Sequence, residues 1–119
     1  MSCLFTSLNY FIKEGNYEIR QKICDYLQEN KPIMSDLDTK EVLLFEDSSV
    51  ENYIMKMRLS STWGGAIEIQ AACNIWKLKI NVINIRDSKQ KTIEFLPLSE
   101  NCNNIINISW NGGHYEPIH

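Results

Sequence analysis

Cysteine and histidine are the side chains of this chain best suited to nucleophilic and acid–base chemistry near neutral pH. Both are scarce, with four cysteines (Cys3, Cys24, Cys73, Cys102) and two histidines (His114, His119) in 119 residues. The cysteines lie 21, 49 and 29 positions apart, with no C-x-x-C pair and no histidine at zinc-ligand spacing. That pattern reads as four free thiols in a reducing cytosol. Cys3 stands out because a helical pattern begins at it, and a thiol at a helix N-terminus sits at the positive end of the macrodipole, which favours the thiolate. His114 follows Asn111-Gly112-Gly113, a turn that brings an exposed side chain to the start of a terminal strand. Together they form the pair a thiol hydrolase requires: a nucleophile, and a base that takes its proton and later returns it to the leaving amine. A third group must hold the imidazole in the right tautomer. Residues i and i+2 of a strand share a face, so Glu116 lies beside His114 while Tyr115 points away, to pack or to bind.

Helices must position the cysteine. Leu4, Phe5, Leu8, Phe11 and Ile12 repeat at helical spacing over residues 3 to 12. Gly15 and Asn16 stop that helix and cap a second, in which Ile19, Ile23, Tyr26 and Leu27 share a face and Cys24 is a core thiol, before Pro32 ends the run. Residues 35 to 51 carry Asp36, Asp38, Glu41, Glu46, Asp47 and Glu51 around the apolar island 42 to 45, which predicts a surface arm. A third helix starts near Val50 with Ser49 as N-cap, displays Tyr53, Ile54 and Met57, and ends near Ser60-Ser61. Trp63-Gly64-Gly65 then opens a helix with Ile69, Ala72, Cys73 and Trp76 on one face.

Strands must position the histidine. The texture turns to β at 79 to 85, 92 to 96, 105 to 108 and 114 to 118, with a loose loop at 99 to 104. Helices first and strands last predict an α+β domain, a small and mostly antiparallel sheet packed with helices, in one unit spanning 1 to 119.

The 12 Lys+Arg against 15 Asp+Glu, net −3, lack the basic excess that nucleic-acid or anionic-membrane binding needs. No apolar run approaches the ~20 residues of a bilayer span. The first residues carry no secretory signal, so a reducing cytoplasm is the expected location. Ile, Asn and Lys total 37 residues against 3 Arg, a bias expected of an AT-rich genome such as a large DNA virus or an intracellular parasite.

The segments Cys3 to Leu8, Ile19-Arg20, Tyr26-Leu27, Tyr53 to Arg58, Trp63-Gly64-Gly65-Ala66-Ile67-Glu68 through Ala72, Ile80-Asn81-Val82 and His114-Tyr115-Glu116-Pro117-Ile118 occur in family order, and together they resemble an ovarian-tumour (OTU) domain cysteine protease. The resemblance implies a papain-like fold and a deubiquitinating peptidase, in which Cys3 attacks the carbonyl of ubiquitin's terminal glycine in an isopeptide bond and forms a thioester that water hydrolyses. His114 would serve as base and then acid, and no metal or organic cofactor would enter. The backbone N–H of Cys3 and a donor from the loop before it would hold the oxyanion. Ubiquitin, its chains or a ubiquitin-like modifier would be the partner, in the host cytosol if the source is viral or an intracellular microbe. Because that tail ends in Gly-Gly, Trp63, Gly64 and Gly65 are read as part of a narrow channel wall, with Tyr115 as a further substrate contact. The other reading of this block makes Trp63 core, the glycines a turn, and Glu68 the partner of a buried backbone group. The acidic arm from Asp36 to Glu51 has two readings, a plain solvated face or a surface that would meet ubiquitin's basic tail and face.

Two departures from the family pattern bear on this. Asp-Gly-Asn usually precedes the cysteine, and here only Met1-Ser2 does; either the chain begins inside a longer protein, or Ser2 and the free terminus replace the missing donors. Glu116 stands where Asp or Asn is more frequent, and Asn111 is the fallback orienter, with a plain turn role as its other reading. A catalytically weak OTU-fold module that binds ubiquitin is the alternative function, followed by a papain-like enzyme with an unrelated small substrate. Trp110 is read as core or cleft rim, Cys102 as an ordinary loop thiol and His119 as solvated.

Overall fold

The computed structural model describes residues 3–86, 91–99 and 101–118. Five helices precede four strands: α1 (Cys3–Ile12), α2 (Asn16–Gln28), α3 (Thr39–Leu44), α4 (Val50–Met57), α5 (Ala66–Trp76), β1 (Leu78–Asn84), β2 (Thr92–Phe95), β3 (Asn104–Trp110) and β4 (Tyr115–Ile118). Ser2 and His119 lie outside the described residues, so the readings made of them have no structural counterpart. No helix among the described residues is long and apolar enough to cross a membrane.

The sheet runs β2-β1-β3-β4. Both outer ladders are antiparallel, whereas the central β1–β3 ladder is parallel, so the α+β sheet is mixed at its centre. Register explains the choice. Ile80 pairs with Ile106 and Val82 with Ile108, and all four are buried, so both strands turn their apolar residues to the helices in phase. On the other face the same register sets Asn81 against Asn107, whose side chains share a 3.0 Å hydrogen bond. α5 packs on β1 and α1 packs on β4, which brings the first helix against the last strand. Pro117 falls on that edge strand, where a missing N–H is tolerated.

Leu4, Phe5 and Leu8 of α1, Ile19, Ile23, Cys24 and Leu27 of α2, and Ile69, Ala72 and Cys73 of α5 fill the core as their spacing predicts. Ser49 caps α4 by accepting from the Asn52 N–H at 3.0 Å. Gly15 is the N-cap of α2, at φ +103°, where a side chain would be strained. Asn16 is instead the first residue of α2, and its side-chain amide donates to the Thr6 hydroxyl.

Two expectations about elements need correction. The acidic arm contains a helix, α3, whose Thr39 and Leu43 are fully buried. It is held to the segment just after α2 by Asn30, which donates to Asp38 and accepts from the Lys40 N–H, and by Thr39, whose hydroxyl donates to the Lys31 carbonyl. Six residues show no readable helical period, which is why the sequence pattern passed over it. α4 ends at Met57 rather than near Ser60, because Arg20 and Gln21 of α2 donate to the terminal carbonyls of Met57 and Arg58.

Candidate active site

Cys3 is the first residue of α1 and is half-buried. The two residues that follow it, Leu4 and Phe5, are locked in the core at 1% and 0% exposure, so the nucleophile's backbone has little freedom. Ser7 donates its hydroxyl to the Cys3 carbonyl at 2.8 Å, tightening the same turn.

His114 precedes β4 by one residue. Its turn is closed by Asn111, whose side-chain oxygen accepts the Gly113 N–H at 3.1 Å and whose N–H donates to the His114 carbonyl at 3.2 Å. Asn111 is therefore engaged as a turn residue, and its reading as orienter of the imidazole is not the one the geometry favours. His114 Nε2 lies 3.3 Å from Glu116 Oε1. The contact uses Nε2 and leaves Nδ1 as the nitrogen available to a thiol.

Cys3, Thr6, Ser7, His114, Tyr115, Glu116 and Pro117 line one cavity of about 400 Å³ between α1 and β4. The two ends of the chain thus meet where thiol, imidazole and carboxylate share a surface. Tyr115 is half-buried and packs against the core. Burial raises its phenol above the ordinary value of 10.0, and the neighbouring Cys3 charge raises it further. Thr6 and Ser7 were not singled out in the sequence, although they follow Cys3 by one helical turn and must flank it.

Trp63, Gly64 and Gly65 divide between the two readings offered for them. Trp63 is 53% exposed, so it is not core. A β-carbon on Gly64 would lie 2.7 Å from Leu4 Cδ2 and 3.1 Å from the Phe5 ring, so the chain at this point lies flush on α1 only because it is glycine. A β-carbon on Gly113 would lie 3.9 Å from the Trp63 ring. The Trp63–Gly64 pair therefore spans from the nucleophile's helix to the turn that carries the histidine. Gly65 is the N-cap of α5, and its N–H donates to Glu68 Oε1 at 2.7 Å. Glu68 is 1% exposed and also accepts from the Tyr53 hydroxyl at 2.5 Å. Burial raises its carboxyl above 4.5, the two hydrogen bonds opposing that rise. Glu68 is the structural partner one of the two readings made it. Trp63, Gly64 and Gly65 line a cavity of about 340 Å³ other than that of Cys3, together with Glu46 and Asp47 from the end of the acidic arm, Lys56 bonding to Asp47 at 3.1 Å.

The other thiols are placed differently. Cys24 and Cys73 are fully buried, which pushes each up to about 12. Cys102 is exposed, its thiol near the Asn104 carbonyl. Trp110 is half-buried against the core. Among the described residues no group of three or more His, Cys, Asp or Glu side chains is arranged to hold a metal. Arg20 is the residue whose importance sequence reasoning missed: it was noted only as part of a dipeptide, and it is buried at 2% exposure beside the loop that delivers Trp63.

The chain is 28% identical over 123 residues to ubiquitin thioesterase OTU1 of Xenopus laevis, with 98% of this chain and 37% of that protein aligned. It is 32% identical over 93 residues to ubiquitin thioesterase otu2 of Schizosaccharomyces pombe, covering 70% of this chain and 29% of that one. The chain thus spans about a third of the length of the curated relatives it matches. Among solved structures, an ovarian tumor (OTU) domain in complex with ubiquitin superposes with TM-score 0.75 at 24% identity, covering 98% of this chain and 62% of that one. The viral OTU domain protease from Dera Ghazi Khan virus gives TM-score 0.73 at 17% identity, with coverages of 98% and 72%. An OTU deubiquitinase from Wolbachia pipientis wMel bound to ubiquitin gives 0.69 at 18%, with coverages of 99% and 89%. At these identities the likeness is one of fold, and it is shared by a chain whose own residues bring a helix-start thiol, an imidazole and a carboxylate to one cavity. The family model for OTU-like cysteine proteases matches residues 2–115, and the chain belongs to that family.

Proposed function

We propose that this domain is a cysteine-dependent deubiquitinase that hydrolyses the isopeptide bond at the C-terminal glycine of ubiquitin. The observation that carries the proposal is the common cavity of Cys3, His114 and Glu116, with Trp63 set next to Gly113 of the turn that carries the histidine. His114 Nδ1 takes the Cys3 proton, and the sulfur attacks the glycine carbonyl carbon. The backbone N–H of Cys3, at the start of α1 where amides have no helical acceptor, faces the developing oxyanion, and such a donor is worth about 2.7–4 kcal/mol. The second donor expected from the preceding loop lies outside the described residues. Collapse breaks the C–N bond, and the imidazolium returns its proton to the departing lysine amine. Water, deprotonated by His114, then attacks the thioester, releasing the glycine carboxylate and restoring the thiol. Glu116, on Nε2, keeps the ring oriented throughout.

The arm extends the same proposal. Glu46 and Asp47 border the groove beyond Trp63, and Phe45, 82% exposed, stands next to them. An acidic rim with an apolar tip suits the basic tail and face of ubiquitin. Four unpaired thiols support a reducing cytoplasmic location. A viral or intracellular-microbial source rests on the Ile, Asn and Lys bias alone.

A ubiquitin probe with a thiol-reactive C-terminal warhead should label the protein through Cys3, and Cys3→Ala should abolish labelling with the fold retained. His114→Ala should lower turnover by about 10²–10⁴. Ubiquitin binding without hydrolysis of a C-terminal ubiquitin amide would assign the domain to recognition, and absence of binding would point to a small unrelated substrate.

A further inference from the structure

Arg20 is a charged side chain with 2% exposure, in α2 and outside the cavity that holds Cys3. Its guanidinium lies 4.0 Å from the centroid of the Phe5 ring. Nη1 donates to the Met57 carbonyl at 2.7 Å and Nη2 to the Thr62 carbonyl at 3.0 Å. One planar cation thus joins three places: the helix two residues beyond Cys3, the end of α4, and the residue immediately before Trp63. The fork geometry lets one head group satisfy two carbonyls in different directions while its face rests on an aromatic ring, a combination lysine cannot reproduce. Phe5 itself is packed on Gly64, since a β-carbon there would reach its ring edge at 3.1 Å. Trp63, between the carbonyl Arg20 grips and the glycine Phe5 supports, is set against Gly113 of the histidine turn.

We propose that Arg20 is a positioning residue of the active site, acting through the Thr62 carbonyl and the Phe5 ring to hold Trp63 and Gly64 between α1 and the histidine turn, where Trp63 meets the glycine-ended tail of the substrate. The inference rests on the ubiquitin-amide reading of the site. Arg20 does not line the cavity that holds the thiol and the imidazole, so its loss frees the segment from Thr62 to Gly64 and leaves the nucleophile on α1 in place. The effect therefore belongs to KM, while kcat and the intrinsic reactivity of Cys3 toward a small reagent stay close to those of the parent.

The test is a double-mutant cycle with Arg20→Lys, Trp63→Ala and the pair, measured on a ubiquitin C-terminal amide, with iodoacetamide modification of Cys3 alongside. Arg20→Lys is expected to raise KM about tenfold, with kcat and the alkylation rate within about twofold. In the Trp63→Ala background the same change should add less than about twofold, because the ring it would position is gone. If Arg20→Lys does not fold, Phe5→Leu replaces it. That variant removes the ring beneath the guanidinium, and its smaller rise in KM should vanish in the Trp63→Ala background in the same way. Effects that multiply across the two sites, or a loss confined to thermal stability with KM unchanged, overturn the positioning role while leaving the proposed function standing. A parent protein inert toward ubiquitin amides overturns both.

Discussion

Glu68 offers a quantitative test of how the cleft wall is built. Its carboxylate is 1% exposed and accepts from the Gly65 N–H and the Tyr53 hydroxyl. Glu68→Ala leaves both donors in a partly buried setting without an acceptor, at about 1–3 kcal/mol each, or roughly 2–6 kcal/mol together. That is a large share of the ~5–15 kcal/mol available to a domain. Glu68→Gln keeps an oxygen for Gly65 and turns an amide toward the tyrosine oxygen. It exchanges charge-assisted bonds for neutral ones but removes the penalty of a buried charge, so it should stay within about 1 kcal/mol of the parent at pH 7. The two differ in pH dependence as well. Burial, the largest influence, holds the folded carboxyl above 4.5, so from pH 4.5 upward the native state keeps a proton that the unfolded state has lost. The stability Glu68 contributes is complete below 4.5 and declines as pH rises through the folded value, at up to about 1.4 kcal/mol per pH unit. Glu68→Gln lacks that decline. Urea unfolding of parent and variant from pH 4 to 8 should show the parent losing ground to the glutamine variant as pH increases, and then running parallel. Parallel profiles from the start, or an alanine variant as stable as the glutamine one, would refute the assignment of Glu68 as a buried partner of Gly65.

Three further outcomes are expected. In the folded protein at pH 8, iodoacetamide should modify Cys3 and Cys102 but spare Cys24 and Cys73, which burial pushes up to about 12; at that value about one thiol in 10⁴ is ionised, and peptide mass mapping with and without denaturant reads the difference. Gly112→Ala should cost about 1–2 kcal/mol because φ is +105°, whereas Gly113→Ala, whose new carbon would sit 3.9 Å from the Trp63 ring, should be close to neutral; denaturation curves in the reverse order would contradict the turn described here. Glu116→Gln should lower kcat by less than His114→Ala does, with stability within ~0.5 kcal/mol, because the pair is 48% and 68% exposed and screened by water; an unchanged kcat would remove Glu116 from the orienting role.

The helices that fill the core were legible wherever an apolar stripe ran for two turns or more, as in α1 and α2, because burial of one face imposes a 3.6-residue period that survives in the residue types. The helix start at Cys3 and the closeness of Glu116 to His114 were legible for a related reason, since both are local geometries written in a few consecutive residues, whereas the meeting of thiol and imidazole across the whole chain was not. The short helix α3 left no such trace. Its Thr39 and Leu43 are buried, its Thr39 hydroxyl donates to the Lys31 carbonyl, and its flanking Asp38 and Lys40 bond Asn30, partners eight to ten residues back that no helical period announces.

By itself, then, the chain determined the four longer helices and the strand-rich second half, that its ends carry a thiol and an imidazole, and which residue stands beside the imidazole. Only the tertiary structure decided that β1 and β3 run parallel, since the register is chosen by two strands matching their buried faces across 26 residues. Only the fold made Gly64 necessary, by laying it on Leu4 and Phe5, and only the fold turned Arg20 from a surface-type residue into the buried link between three elements. Local geometry is set by neighbours in sequence, but the desolvation of a cation and the closeness of two backbones depend on atoms that folding alone brings together.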